Sequence, residues 1–180
     1  MSGLVVLVGA LALLNLLLTF GVIRRLREHT ELLAGRAPAS SPEPPSLPVG
    51  LRVSAFRGAT TGGEPLTHES WSGDTLVAFI SPDCSPCQER MPSLIETARL
   101  WPGGRQATMA VVIAEPDAAA EYAELLSPVA RVAVEPPGGP IAAAFGVAAF
   151  PLFGVVDRSG RVLRSALEPS TLLLQEVAQA

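Results

Sequence analysis

Twenty consecutive residues, Leu4–Ile23 (LVVLVGALALLNLLLTFGVI), carry no charge and only Asn15 and Thr19 as polar interruptions. At about 1.5 Å of rise per residue, a helix of that length spans the roughly 30 Å hydrocarbon core of a bilayer. The run also accounts for a mean hydropathy of +0.37, high for a soluble domain. A cleavable export signal would want a basic start, a shorter apolar core and a small-residue cleavage site close behind it. Met1–Gly3 has no basic side chain, the apolar run is too long, and RRLREH follows it. The nearest cleavage-like stretch, Ala37-Pro38-Ala39, lies well beyond. The segment therefore reads as a retained single-pass anchor in the cell membrane.

RRLREHTELLAG keeps helical spacing through Leu26, Leu32 and Leu33 and extends the helix to Gly35. Residues 1–35 are thus the anchor and juxtamembrane helix. Residues 36–48 hold five prolines from Pro38 to Pro48; such a segment favours extended polyproline conformations and reads as a semi-rigid linker. Residues 49–180 remain, enough for one folded domain with its own core.

Within that domain LRVSAF (Leu51–Phe56) reads as a short strand, followed by a glycine-rich turn at Thr60–Glu64. TLVAFI (Thr75–Ile80) and ATMAVVI (Ala107–Ile113) are continuous apolar runs, suited to strands buried on both faces. A helix is expected from Ser85 to Leu100, a second over Asp117–Leu126 and a short one over Ile141–Gly146. RVAVE (Arg131–Glu135) reads as a strand. PLFGVVD and RVLRSAL form a hairpin across Arg158-Ser159-Gly160, and a last helix is expected with Ser170 as its cap. Strands alternating with helices, then a hairpin and helix, predict an α/β domain with a mixed sheet. Trp71, Trp101, Met91 and Met109 read as packing residues.

The net charge is −4 and all 13 basic residues are arginine. With few aromatics and no basic patch, nothing points to nucleic acid. The only two cysteines, Cys84 and Cys87, stand three apart in SPDCSPCQERMP. A zinc site needs four ligands, and His29 and His68 stand at no metal-site spacing from them, so no metal is expected. An inert pair and a redox centre remain. For the second there is a mechanism: a buried strand ends at Ile80, the chain turns, and the cysteines open a helix. Helix N–H groups and the helix dipole then favour the Cys84 thiolate. Cys84 would attack and Cys87 would resolve the mixed disulfide, with Ser85 and Pro86 setting the local geometry.

These residues resemble the thioredoxin-fold signature, a CxxC followed by a helix with proline five residues on, here Pro92. Its second half is matched by FGVAAFPLFGVVDRSGRV: Phe145-Gly146-Val147 at the start, Pro151 at the cis-proline, Asp157–Val162 at the hairpin turn. With the anchor and the insert between Cys87 and Pro151, the chain is similar to membrane-anchored TlpA/ResA/MauD-type thiol–disulfide oxidoreductases. The resemblance implies a thioredoxin fold behind a transmembrane helix and a redox-active Cys84–Cys87 disulfide, with no bound cofactor. It also implies that Phe150 and Pro151 present backbone to an extended client. Asp83 stands where an aromatic is usual, and its charge opposes the Cys84 thiolate. Ala78 replaces the acid six residues before the first cysteine, which leaves water or another group, with Glu89 and Glu64 as candidates, to take the Cys87 proton. Leu152 follows the proline in place of threonine.

The implied activity is reduction of disulfides in extracytoplasmic clients, such as apocytochromes c or maturing enzymes. Electrons would come from a membrane reductase and the bilayer would hold the anchor. A disulfide donor or isomerase, or a non-catalytic binding module, are the alternatives. Orientation pulls two ways: the redox chemistry favours the outside, whereas Arg24, Arg25 and Arg27 behind the anchor favour a cytoplasmic domain.

Overall fold

A computed structural model of the chain describes Leu13, Asn15 and residues 46–178. Leu13 and Asn15 are helical; the rest of the expected anchor, the juxtamembrane helix and the linker to residue 45 lie outside the described residues. Among the described residues no helix is long and apolar enough to cross a membrane. The chain divides into two units after Glu43, and the second holds all the strands among the described residues.

A five-stranded sheet organises this unit. Its strands are β3 (Thr75–Ile80), β4 (Thr108–Ile113), β5 (Arg131–Glu135), β6 (Leu152–Val156) and β7 (Val162–Ala166), in the order β5-β4-β3-β6-β7. The first three run parallel, and β6 and β7 are antiparallel to their neighbours. All residues of β3, β4 and β6 are buried, as expected of continuous apolar strands covered on both faces. Alternation splits β3 between two cores. Leu76, Ala78 and Ile80 join the core beneath α1 (Ser85–Leu100) and α4 (Pro169–Val177), whereas Val77 and Phe79 join the core beneath α3 (Pro140–Phe145). The remaining helix, α2 (Pro116–Leu126), packs on β4 and β5. Each of α1 to α4 has proline at its first or second position. There the missing N–H costs nothing and the fixed φ favours helix entry.

α1 and β5 coincide with their expected bounds, and the tryptophans and methionines singled out above are buried. Two expectations are corrected. Leu51–Phe56 is not a strand: only Arg52 bridges to Arg161. Its buried residues, Val53 and Phe56, stand three apart, so a period-two ladder cannot bury both. The strands here are β1 (Arg57–Ala59) and β2 (Pro65–Thr67), an antiparallel pair around the glycine-rich turn. Ser170 is no cap either. Pro169 starts α4 one residue earlier, after Glu168, and Ser170 is an exposed first-turn residue.

Leu47, placed in the linker by its proline-rich surroundings, is a core residue at 2% exposure. Its backbone N–H donates to Ser165 Oγ at 2.9 Å, and its side chain lies over Gly154, where a Cβ would come within 2.8 Å of Leu47 Cδ1. The folded domain thus begins before Val49, which is 70% exposed. Leu47→Ala should cost about 2–4 kcal/mol by cavity formation, while Val49→Ala should stay within about 0.5 kcal/mol of wild type. Urea denaturation of both variants checks this; equal midpoints would return Leu47 to the linker.

Candidate active site

The site forms where the C-terminal end of β3 meets the N-terminal end of β6. β3 and β6 pair with Phe79 opposite Leu152. The residues just after Ile80 and just before Leu152 are therefore neighbours, although some seventy positions separate them in sequence. The chain leaves Ile80 through Ser81–Asp83, and the Cys84 N–H donates to the Ser81 carbonyl at 3.2 Å. Gln88 Nε2 reaches back to the Pro82 carbonyl at 2.9 Å and ties the turn to the helix that follows.

Cys84 and Cys87 are joined in a disulfide, their Cα atoms 5.2 Å apart. Cys84 is also the N-cap of α1. Its backbone is extended (φ −107°, ψ 104°) and its Sγ accepts the Cys87 N–H at 3.2 Å. A sulfur thus fills the role that a serine or aspartate oxygen fills at most helix starts. Ser85 and Pro86 are exposed and occupy the first turn, and Pro92 lies inside the helix. The two sulfurs have unlike surroundings. Cys84 is half-buried, whereas Cys87 is fully buried in the core with Ala78, Ile80 and Met91. In a disulfide exchange only the accessible sulfur can meet an incoming group.

The Phe150–Pro151 peptide is cis. Pro151 is buried and Phe150 half-buried, packed on both cores. What aims this loop is α3, which ends at Gly146 in the left-handed conformation (φ 66°) that glycine adopts without steric cost. The first turn of α3 is held by a residue that the sequence did not single out. Glu135, 6% exposed at the end of β5, accepts the N–H groups of Ile141 at 3.0 Å and Ala142 at 2.6 Å. A carboxylate closing a strand just ahead of the PPGGP turn is its only trace in the sequence.

The remaining candidates divide. Asp83 is exposed beside Cys84, and Leu152 is buried at the head of β6. Ala78 is fully buried and belongs to the same apolar core as Cys87. Glu89 is exposed on α1. Glu64 is not part of the site. Its turn bonds through the Thr61 N–H to Val132, at the opposite end of the sheet, and its carboxylate faces Arg105 Nη1 at 3.8 Å. The sequence offers no clue to that placement, because it depends on where the β1–β2 turn docks. A groove of about 270 Å³ opens beside Cys84, lined by Asp83, Ile113, Glu115, Ala118, Pro137 and Phe150 among others.

No protein-family model matches this sequence, and no curated protein matches it. Solved structures do match. A thiol:disulfide interchange protein from Bacteroides sp. superposes with a TM-score of 0.60 at 17% identity, over 73% of this chain and 90% of that one. A thio-disulfide isomerase from Thermus thermophilus gives 0.55 at 23%, over 73% and 96%. The exposed lipoprotein thioredoxin of Streptococcus pneumoniae gives 0.53 at 19%, over 71% and 100%. The domain has the thioredoxin fold. Within it, the Cys84 turn and the cis-proline loop of this chain sit side by side at one end of the sheet.

The unequal burial of the two sulfurs has a direct consequence. In the reduced protein, iodoacetamide should modify Cys84 at least about tenfold faster than Cys87, since only an accessible thiolate reacts. Asp83→Asn should speed Cys84 alkylation about two- to fivefold near neutral pH by removing a like charge. Peptide mapping after timed quenching measures both rates; preferential labelling of Cys87 would contradict the geometry.

Proposed function

We propose that this chain is a membrane-tethered thiol–disulfide oxidoreductase that reduces disulfides in extracytoplasmic client proteins. The observation that carries the reading is the pairing of a half-buried Cys84 sulfur at a helix start with a fully buried Cys87. An inert disulfide needs no such asymmetry, whereas an exchange reaction depends on it. The likeness to interchange proteins and to an exposed lipoprotein thioredoxin supports both the chemistry and the location.

The reaction balances as follows. The Cys84 thiolate attacks one sulfur of a client disulfide, forming the Cys84–client bond and expelling the other client sulfur as a thiolate. Cys87, deprotonated, then attacks Cys84 Sγ, forming the Cys84–Cys87 disulfide and expelling the second client thiolate. Two electrons pass from the protein dithiol to the client disulfide, and two protons end on the client thiols. An external dithiol, which we assign to a membrane reductase, returns the two electrons. Apocytochromes c and maturing enzymes are the client classes suggested by the resemblance to TlpA/ResA/MauD-type proteins.

Helix N–H groups aimed at Cys84 stabilise its thiolate and draw on the dipole of α1, which amounts to about half a positive charge. Asp83 opposes them. A less stable thiolate means a less stable reduced form and hence a stronger reductant, which favours the reducing direction over disulfide donation. Phe150 and Pro151 supply the edge along which an extended client chain lies. The anchor over Leu4–Ile23 and the proline-rich linker behind it keep the domain close to both clients and the electron source.

Full-length Cys87→Ser should accumulate mixed disulfides with client proteins, visible as reductant-sensitive bands on non-reducing gels, because the resolving step is lost. Cys84→Ser should trap none and should fail to complement a deletion. Full complementation by Cys84→Ser would establish a non-catalytic module instead. Placement is tested separately with an impermeant maleimide on intact, reduced cells. Cys84 should be labelled before lysis, and protection until lysis would put the domain in the cytoplasm.

A further inference from the structure

We propose that the groove beside Cys84 selects clients by a lysine or arginine side chain close to the reacting cysteine. The inference rests on the oxidoreductase reading above and adds to it the chemical class of its substrates. The groove's position makes it part of the client's path: Asp83 immediately precedes Cys84 and Phe150 immediately precedes Pro151, and both line it. At about 270 Å³ it accommodates a single side chain rather than a folded element.

Its lining has two characters. Ile113, Ala114, Ala118, Pro137 and Phe150 make apolar walls, while Asp83 and Glu115 bring two carboxylates and Ser81 a hydroxyl. No lysine, arginine or histidine lines it. Asp83 and Glu115 are exposed, and among the described residues neither takes part in an ion pair. The nearest arginine along α1, Arg90, is engaged by the Leu167 carbonyl at 2.9 Å and by Glu168 at 3.6 Å. An apolar channel with anionic groups matches a side chain that has an aliphatic stem and a cationic head, which only lysine and arginine provide.

Two positive features oppose this and are outweighed. α1 and α2 both start at this edge, each N-terminus equivalent to about half a positive charge. Against them stand Asp83, Glu115 and Asp117, the last also exposed in the first turn of α2. The edge therefore stays negative, and a client carrying a carboxylate beside its disulfide meets repulsion there and again at the Cys84 thiolate.

The test uses the full-length protein, reduced beforehand, and three peptides with an internal disulfide that differ only in the residue beside the attacked cysteine: lysine, glutamine or glutamate. At low ionic strength the second-order rate constant for the lysine peptide should exceed that for the glutamate peptide about tenfold. The ratio should contract towards one in 0.5 M salt, where screening extends over only a few ångströms. Asp83→Asn and Glu115→Gln should each reduce it about two- to threefold, and the double variant should lower it to the small preference, below about twofold, that the Cys84 thiolate alone imposes. Asp83→Asn also alters the Cys84 thiolate of the free protein, an effect common to all three peptides that cancels in the ratio. The glutamine peptide reports whether each variant is folded and active. A lysine-to-glutamate ratio below about two in the wild type, or one that the double substitution leaves unchanged, overturns the inference and leaves the oxidoreductase reading intact. Reduction of none of the peptides would overturn both.

Discussion

The pairing of β3 with β6 is the interaction on which the site depends. β3 is the central strand, buried on both faces, and its ladder with β6 sets Phe79 opposite Leu152. A one-residue slip would turn every side chain of β6 to the wrong face, moving Phe153 and Val155 out of one core and Leu152 and Val156 out of the other. The hydrophobic pattern thus fixes the register, and the register fixes which residue of the proline loop stands beside Cys84. Sheet packing and site geometry are the same constraint here.

That constraint also shapes the chemistry of Cys87. An acid at position 78 would project among Leu76, Ile80, Phe153 and Cys87, where an ionised carboxylate is costly without a partner. With Ala78 there, the core closes fully and the resolving sulfur sits in apolar surroundings. In the proposed exchange the Cys87 proton would therefore pass by the open side, next to Cys84.

Much of this was legible in the sequence because several signals agreed locally. α1 could be bounded at both ends: Cys84-Ser85-Pro86 opens it, and Trp101-Pro102 closes it, since the residue before proline avoids the helical region. Cys84 and Cys87 stood out by their spacing, and Pro151 by the resemblance of its segment to the thioredoxin-fold signature. Signals failed where a residue's role comes from distant partners. Leu47 stands among prolines that read as linker, yet Gly154, more than a hundred positions away, leaves a place for its side chain. Glu64 and Glu135 look alike in sequence, both acidic residues near glycine-rich turns. Docking puts one beside Arg105 at the far end of the sheet and buries the other under α3. No local pattern distinguishes them.

Charge at the rim finally bears on the redox step itself. Reduction of the disulfide adds at most one accessible negative charge, at Cys84, because Cys87 is enclosed by the core. That charge is favoured by the α1 N-terminus and disfavoured by Asp83, two opposing influences. A third charge nearby shifts the balance between them. If clients are selected as proposed, a cationic group seated between Asp83 and Glu115 would neutralise the repulsion at the moment Cys84 must be a thiolate, and its departure would restore the repulsion. Client binding and thiolate formation then reinforce each other by linkage, so the carboxylate that weakens the resting nucleophile need not weaken the attacking one.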